Sequence, residues 1–281
     1  MPTNLYLIRR QRLVSVFEDT MARIKQSTEW TRATNHSIRN QQFIPESAAI
    51  TIADMQKADK PAEIIVSRLR SFEAAAQYKG KRIAVLNFAS ATTPGGGVEK
   101  GASAQEECLC RVSTLYPCLK DQKMKDCFYT PHRQNRNALH NDDIIYTPNV
   151  VVIKDDDHNP ISENFMVDII TCAAPNLREK PNNAYNSGDG NKVEISANEL
   201  LALHEKRARK IFASAIVNRV EVLILGAFGC GAFCNDPYVV AQAYKNVLPE
   251  FEHYFQTIEF AVYCRPGDTT NFNAFNAILG V

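Results

Sequence analysis

The sequence predicts an α/β sandwich built on a largely parallel or mixed sheet. Three observations carry that expectation. Short β-prone runs alternate with helical patterns along the chain. Two of these runs open directly into glycines that feed a helix. The 281 residues, 45% of them apolar, can bury a core of the size such a sandwich needs. No internal repeat and no clear linker is visible. The simplest partition is a helical extension over residues 1–58 and one main domain over residues 59–281; a weaker alternative divides the chain near residue 140.

Taken in order, residues 9–26 place Val14, Phe17, Met21 and Ile24 at helical spacing and predict an amphipathic helix. The Asn-, Gln- and Ser-rich stretch after it reads as a loop or loose connection. Residues 61–79, "PAEIIVSRLRSFEAAAQYK", begin on proline, carry an apolar stripe through Ile64, Leu69, Phe72, Ala75 and Ala76, and run into Gly80, which predicts a second helix. "KRIAVLNFA" follows as a strand. The Pro-punctuated, polar stretch 116–149 is expected to be irregular. Runs at 150–155 and 165–175 read as strands, the second bounded by Pro175, and 181–195 reads as a solvated loop. Ser196 is a natural N-cap for a helix carrying Leu200, Leu203, Ile211, Phe212 and Ala215. "VEVLILG" is a buried strand and "PYVVAQAYKNVL" a helix ended or kinked near Pro249. "IEFAVYC" supplies a last strand and "NFNAFNAIL" a closing helix.

Lys and Arg number 32 against 31 Asp and Glu, so no global field steers a polyanion along the surface, and a phosphate must be gripped locally. This argues against a generic nucleic-acid coat protein. The first 20 residues interleave charges where a signal peptide needs an apolar stretch, and no apolar run is long enough to span a bilayer. The eight cysteines then read as reduced thiols of an intracellular chain, cytoplasmic or nuclear. Cys108-x-Cys110 and Cys230-x3-Cys234 lack zinc-site spacing and the six histidines form no pair at ligand spacing, so neither a metal nor a cofactor is expected.

Two segments share one construction, a strand that ends in glycines ahead of a helix. The first is "VLNFASATTPGGGVEKGASAQEE", with Gly95, Gly96 and Gly97. The second is "LILGAFGCGAFCNDPYVV", with Gly226, Gly229 and Gly231 before a helix that Asp236 can cap and Pro237 can begin. In open α/β sheets ligands bind beyond the carboxyl ends of strands. Bare backbone N–H groups and helix N-termini suit a pyrophosphate there. Neither segment is a P-loop, and neither fits the dinucleotide fingerprint.

The diglutamate after the first loop supplies chemistry. Ser103-Ala-Gln-Glu106 fits a capping box, which would employ Glu106 structurally. Glu107 points about 100° around the helix and can face the glycine loop. Taken alone, Glu107 would pair with Arg111 four residues on. Beside a bound diphosphate it could instead hold a proton for a glycosidic leaving oxygen. Two adjacent glutamates cannot straddle a bond as a glycosidase pair does, so one glutamate and a substrate-positioned water is the workable arrangement.

These residues resemble the microbial-type poly(ADP-ribose) glycohydrolases. Their signature is a glycine triplet, a short spacer and Gln-Glu-Glu, present here as Gly95-Gly96-Gly97 and Gln105-Glu106-Glu107. "LNFAS", "DIITCAAPN" and "GAFGCGAFCNDP" extend the likeness over about residues 60–265. The resemblance implies a macrodomain-like three-layer α/β/α sandwich with a mixed sheet, the N-terminal helices forming an extension. It implies that Glu107 is the catalytic acid/base, that Glu106 and Gln105 hold ribose hydroxyls or shape the loop, and that Asn87 lies against the distal ribose. Gly95, Gly96, Gly97, Val98, Gly229, Cys230, Gly231 and Ala232 would meet the ligand, and Phe233 would orient the terminal ribose. Where this conflicts with the capping box, the resemblance takes precedence. The implied substrate is poly(ADP-ribose) or ADP-ribosylated protein, handled by a monomer away from membranes. Two alternatives remain at this level: a macrodomain that binds ADP-ribose without turnover, and a hydrolase that removes single ADP-ribose units from protein or nucleic acid.

Overall fold

The computed structural model describes residues 2–181 and 191–280. Helices α1 (Pro2–Gln26) and α2 (Thr28–Asn40) open the chain, followed by the short strand β1 (Gln42–Ile44). After β2 (Glu63–Ser67), α3 (Ser71–Ala76) and β3 (Ile83–Phe88) comes the first glycine loop, which α4 (Gln105–Val112) leaves. Short helices α5 (Leu115–Leu119), α6 (Gln122–Met124) and α7 (Thr130–Asn135), with a π-helical turn over Lys125–Tyr129, lead to β4 (Ile144–Lys154) and β5 (Pro160–Cys172). The remainder alternates as α8 (Ala197–Val217), β6 (Val222–Leu225), α9 (Pro237–Phe251), β7 (Thr257–Ala261) and α10 (Thr270–Leu279).

Among the described residues the strands form one seven-stranded sheet in the order β1-β4-β5-β3-β6-β7-β2. The five strands from β5 to β2 run parallel, and β4 is antiparallel to both of its neighbours, so the sheet is mixed as expected. Side chains alternate across the pleat. On β3, Ala84 and Leu86 enter a core with Ile211, Phe212, Val240 and Tyr244 of α8 and α9. Ile83 and Val85 enter a second core with Phe72, Leu109, Leu115 and Phe17 on the opposite face. Helices therefore cover both faces, and the central strands are buried on both sides.

The N-terminal helices pack against this body: Ile24 meets Val151 and Ile153, and Ser37 Oγ donates to the Asn149 carbonyl at 3.0 Å. Gln41 Nε2 donates to Thr147 Oγ1 at 2.9 Å, and β1 then pairs with the outer edge of β4.

Three expectations are corrected. The helix expected over 61–79 is an edge strand followed by a short helix. Ile64, Ile65 and Val66 are consecutive β-branched residues that pair with Ile258, Glu259 and Phe260 on β7. The helix begins only where the Glu73 carboxylate accepts the Arg70 N–H at 2.8 Å. The polar connection after residue 26 contains α2, capped by Ser27 and turning Thr34 and Ser37 inward. The stretch 116–149 is largely helical and ends inside β4. Of the loop expected over 181–195, residues 182–190 lie outside the described residues. The helix starts at Ser196 and Asp236 stand as expected, with both side chains accepting N–H groups of the first turn.

Candidate active site

β3 and β6 lie side by side, and both glycine loops leave their carboxyl ends. The Phe88 ring at the end of β3 and the Phe228 ring of the second loop meet at 5.6 Å between centroids. The sequence thus brings its two glycine segments together at one end of the sheet.

α4 is fastened to the end of β3 by the first two residues of Gln-Glu-Glu. Gln105 Oε1 accepts the Phe88 N–H at 2.9 Å, and its Nε2 donates to the Leu86 carbonyl at 2.8 Å and Ser71 Oγ at 3.0 Å. Its polar atoms are committed to the strand end. Glu106 is buried; its Oε2 accepts the Ser90 N–H at 2.8 Å and its Oε1 accepts Asn87 Nδ2 at 3.3 Å. Asn87 also donates to Thr171 Oγ1 at 3.2 Å, and its buried Oδ1 has no partner among the described residues. The capping box is overturned: the N-cap is Ala104, without a side-chain bond, and Glu106 reaches back to residues 87 and 90 rather than to Ser103.

Glu107, the third residue, differs from the other two. The residue is 8% exposed and Oε1 accepts the Gly97 N–H at 2.9 Å, while Oε2 has no partner among the described residues. The surface pair with Arg111 does not form, because that guanidinium is buried against main-chain carbonyls. Gly96 has φ +56°, and a Cβ there would run into Glu107 Oε1. At Gly95 a Cβ would sit 2.6 Å from the Tyr116 ring. The triplet is therefore the seat of the carboxylate as well as a run of open backbone. Val98 is fully buried in the second core, so only its main chain can meet a ligand.

Burial pushes the Glu106 carboxyl up to about 8; Glu107 beside it acts in the same direction, while the Ser90 and Gly95 N–H groups and the Asn87 amide oppose it. With the folded value raised above the ordinary 4.5, the fold holds a proton that the unfolded chain loses. The resulting stabilisation is complete below about 4.5 and is lost as the pH rises towards about 8. A Glu106→Gln protein has no such proton. Its melting temperature is expected to fall less than the parent's over that pH range, as thermal unfolding at a series of pH values would show.

The second loop is organised by Asn235, which sequence reasoning missed. Asn235 Nδ2 donates to the carbonyls of Pro175 at 2.6 Å, Gly229 at 3.1 Å and Phe233 at 3.2 Å. Its Oδ1 lies 2.8 Å from His204 Nε2, which must carry the hydrogen there. Burial pushes His204 down to about 4, keeping it neutral. Gly229, at φ +79°, fits because a Cβ would stand 2.7 Å from Ala174 Cβ and 2.8 Å from Asn235 Nδ2. Gly231 and Ala232 are exposed at the tip, and Cys230 is half-buried with its thiol pushed up by burial. The half-buried Phe233 ring lies 5.8 Å from the His140 ring and 5.7 Å from the Arg178 guanidinium. Nothing local in the sequence marks Asn235, since its partners come from three separate segments. Among the described residues no group of three His, Cys, Asp or Glu side chains is arranged to hold a metal.

A comparison with curated protein sequences returned no match. The family described as "Microbial-type PARG, catalytic domain" matches residues 6–155, just over half of the chain. A crystal structure of poly(ADP-ribose) glycohydrolase from Thermomonospora curvata is similar at a TM-score of 0.82 and 29% identity, over 95% of this chain and 99% of that one. Its complex with the inhibitor ADP-HPD gives 0.81 at 29% identity, over the same shares of the two chains. The enzyme from Deinococcus radiodurans in complex with ADP-ribose gives 0.73 at 30% identity, over 88% and 96%. The family match contains the whole glycine triplet and Gln-Glu-Glu, and the structural likeness covers 95% of the chain, so this chain belongs to the microbial-type poly(ADP-ribose) glycohydrolases.

Proposed function

We propose that the chain hydrolyses the ribose–ribose O-glycosidic bond of poly(ADP-ribose) and releases ADP-ribose, with Glu107 as general acid and base. The observation that carries the assignment of Glu107 is its divided carboxyl group, one oxygen fixed by the Gly97 N–H and the other buried without a partner among the described residues. A proton on Oε2 passes to the bridging ribose oxygen as the bond from that oxygen to the anomeric carbon breaks. The bonding electrons leave with the oxygen. The other ribose becomes an oxocarbenium-like cation, and water adds to it while returning a proton to the Glu107 carboxylate. The substrate's diphosphate is held by backbone of the two loops. Glu106 and Gln105 hold α4 and the loop in register, and Phe233 orients the terminal ribose.

Both loops and Glu107 come from one chain, which supports action as a monomer. The catalytic unit spans residues 59–281, with residues 1–58 as its helical extension. Among the described residues no helix is long and apolar enough to cross a membrane. The eight unpaired cysteines fit a reducing, intracellular setting.

Product analysis tests this reading. Incubation with poly(ADP-ribose) should release free ADP-ribose steadily, and faster than the same enzyme clears mono-ADP-ribosylated protein. Tight ADP-ribose binding with no product from polymer would favour a pure binder instead.

A further inference from the structure

The proton-carrying glutamate does not hold its own place. Arg111, one helical turn beyond Glu107, is fully buried, and among the described residues its guanidinium has only neutral partners. Nε donates to the Leu13 carbonyl at 3.3 Å, Nη2 to the Ala102 carbonyl, and Nη1 to Cys108 Sγ at 3.8 Å. Burying a cation without a counter-ion is costly, and a well-packed apolar side chain could fill such a space more cheaply. What the guanidinium adds is direction.

That direction leads back to the carboxylate. Ala102 lies in the spacer between the triplet and Gln-Glu-Glu; its N–H donates to the Gly97 carbonyl at 3.1 Å, and the Gly97 N–H donates to Glu107 Oε1 at 2.9 Å. Arg111, Ala102, Gly97 and Glu107 therefore form a closed loop of contacts around the catalytic carboxyl. Helix α1 completes it from outside. Besides the Leu13 carbonyl, α1 supplies Thr20, whose Oγ1 donates to the Arg111 carbonyl at 2.6 Å and accepts from Lys154 Nζ at 2.7 Å. Arg10 Nε donates to the Lys100 carbonyl at 2.9 Å, and Gly101 packs directly against the Arg10 carbonyl.

We propose that Arg111 is a positioning residue for the general acid and base, and that helix α1 acts through it as the outer strut of the catalytic loop. The proposal rests on Glu107 carrying the proton, so Glu107→Gln is assayed beside the Arg111 variants. Rates are expressed per ADP-ribose-binding site found by titration, which removes any loss due only to misfolding.

Arg111→Met is expected to lower kcat by about 10- to 100-fold, the scale of a displacement of about 1 Å at a reacting group. KM for polymer and Kd for ADP-ribose should stay within about threefold. Arg111→Lys, which keeps a donor but not the fork, should recover part of kcat. In the Glu107→Gln background, Arg111→Met should add little further loss, because the two act as a unit. An unchanged kcat per site, or kcat and affinity falling together, would overturn the proposal. Should Arg111→Met yield no folded protein, Arg10→Ala decides: a severalfold drop in kcat at constant KM supports the strut, and an unchanged kcat rejects it. A parental rate in Glu107→Gln would overturn the functional reading and this inference together, whereas a dead Glu107→Gln beside fully active Arg111 variants removes the inference alone.

Discussion

Exchanging Glu107 for glutamine is expected to lower kcat on poly(ADP-ribose) by roughly 10²- to 10⁴-fold, the range that positioned acid–base catalysis contributes. The affinity for ADP-ribose should remain within about threefold of the parent. Both halves follow from how the side chain is held. The amide oxygen of glutamine can accept the Gly97 N–H as Oε1 does now, so the loop and its backbone donors keep their positions. The amide nitrogen would take the place of Oε2, the buried atom without a partner among the described residues. It carries hydrogens, but it cannot surrender one to a leaving oxygen or take one from water. Saturation kinetics of ADP-ribose release give kcat, and calorimetry with ADP-ribose gives affinity. A glutamine variant that cuts polymer at the parental rate would show that the proton comes from elsewhere.

The parts of this site that were legible in the sequence are those whose requirement is local. A glycine triplet before Gln-Glu-Glu announces a special loop, and Asp236-Pro237 announces a helix start, because cap and first-turn preferences act within a few residues. The strands of the sheet centre were legible as short apolar runs. Edge strand β2 was not. Its apolar positions also fit a helix, and what decides the matter is pairing with residues about 190 positions away. Helix α2 escaped notice because it buries Thr34 and Ser37, whose hydroxyls bond to carbonyls one turn back, so it lacks an apolar stripe. The capping box at Ser103 was a sound local inference that lost to tertiary bonds, since Glu106 finds the Ser90 N–H and the Asn87 amide instead. Asn235 had no signature, and Arg111 was legible only as an i,i+4 partner of Glu107. An asparagine that gathers three carbonyls, or an arginine buried against two, is defined by segments that only the fold brings together.

Gly96→Ala is expected to reduce kcat by at least about 10²-fold, as a misplaced reacting group does. It should also cost about 1–3 kcal/mol of stability through strain at a left-handed residue. Two effects coincide at this position. Alanine disfavours φ +56°, and its Cβ would overlap Glu107 Oε1 while lying 3.1 Å from Glu107 Cδ and 3.3 Å from Glu106 Oε2. The carboxyl must move or the loop must lift, and either change breaks the Gly97 contact that leaves Oε2 available. Unlike Glu107→Gln, this substitution disturbs backbone proposed to face the diphosphate, so KM should rise as kcat falls. Gly80→Ala is the discriminating control, because Gly80 shares the left-handed backbone at φ +90° while a Cβ there meets nothing within 4 Å. Alanine narrows the unfolded chain's freedom alike at both positions. A large loss at 96 with little at 80, measured by steady-state kinetics and thermal unfolding, would locate the requirement in the space the carboxyl occupies. Equal losses at the two positions would instead make the left-handed backbone the reason for glycine at 96.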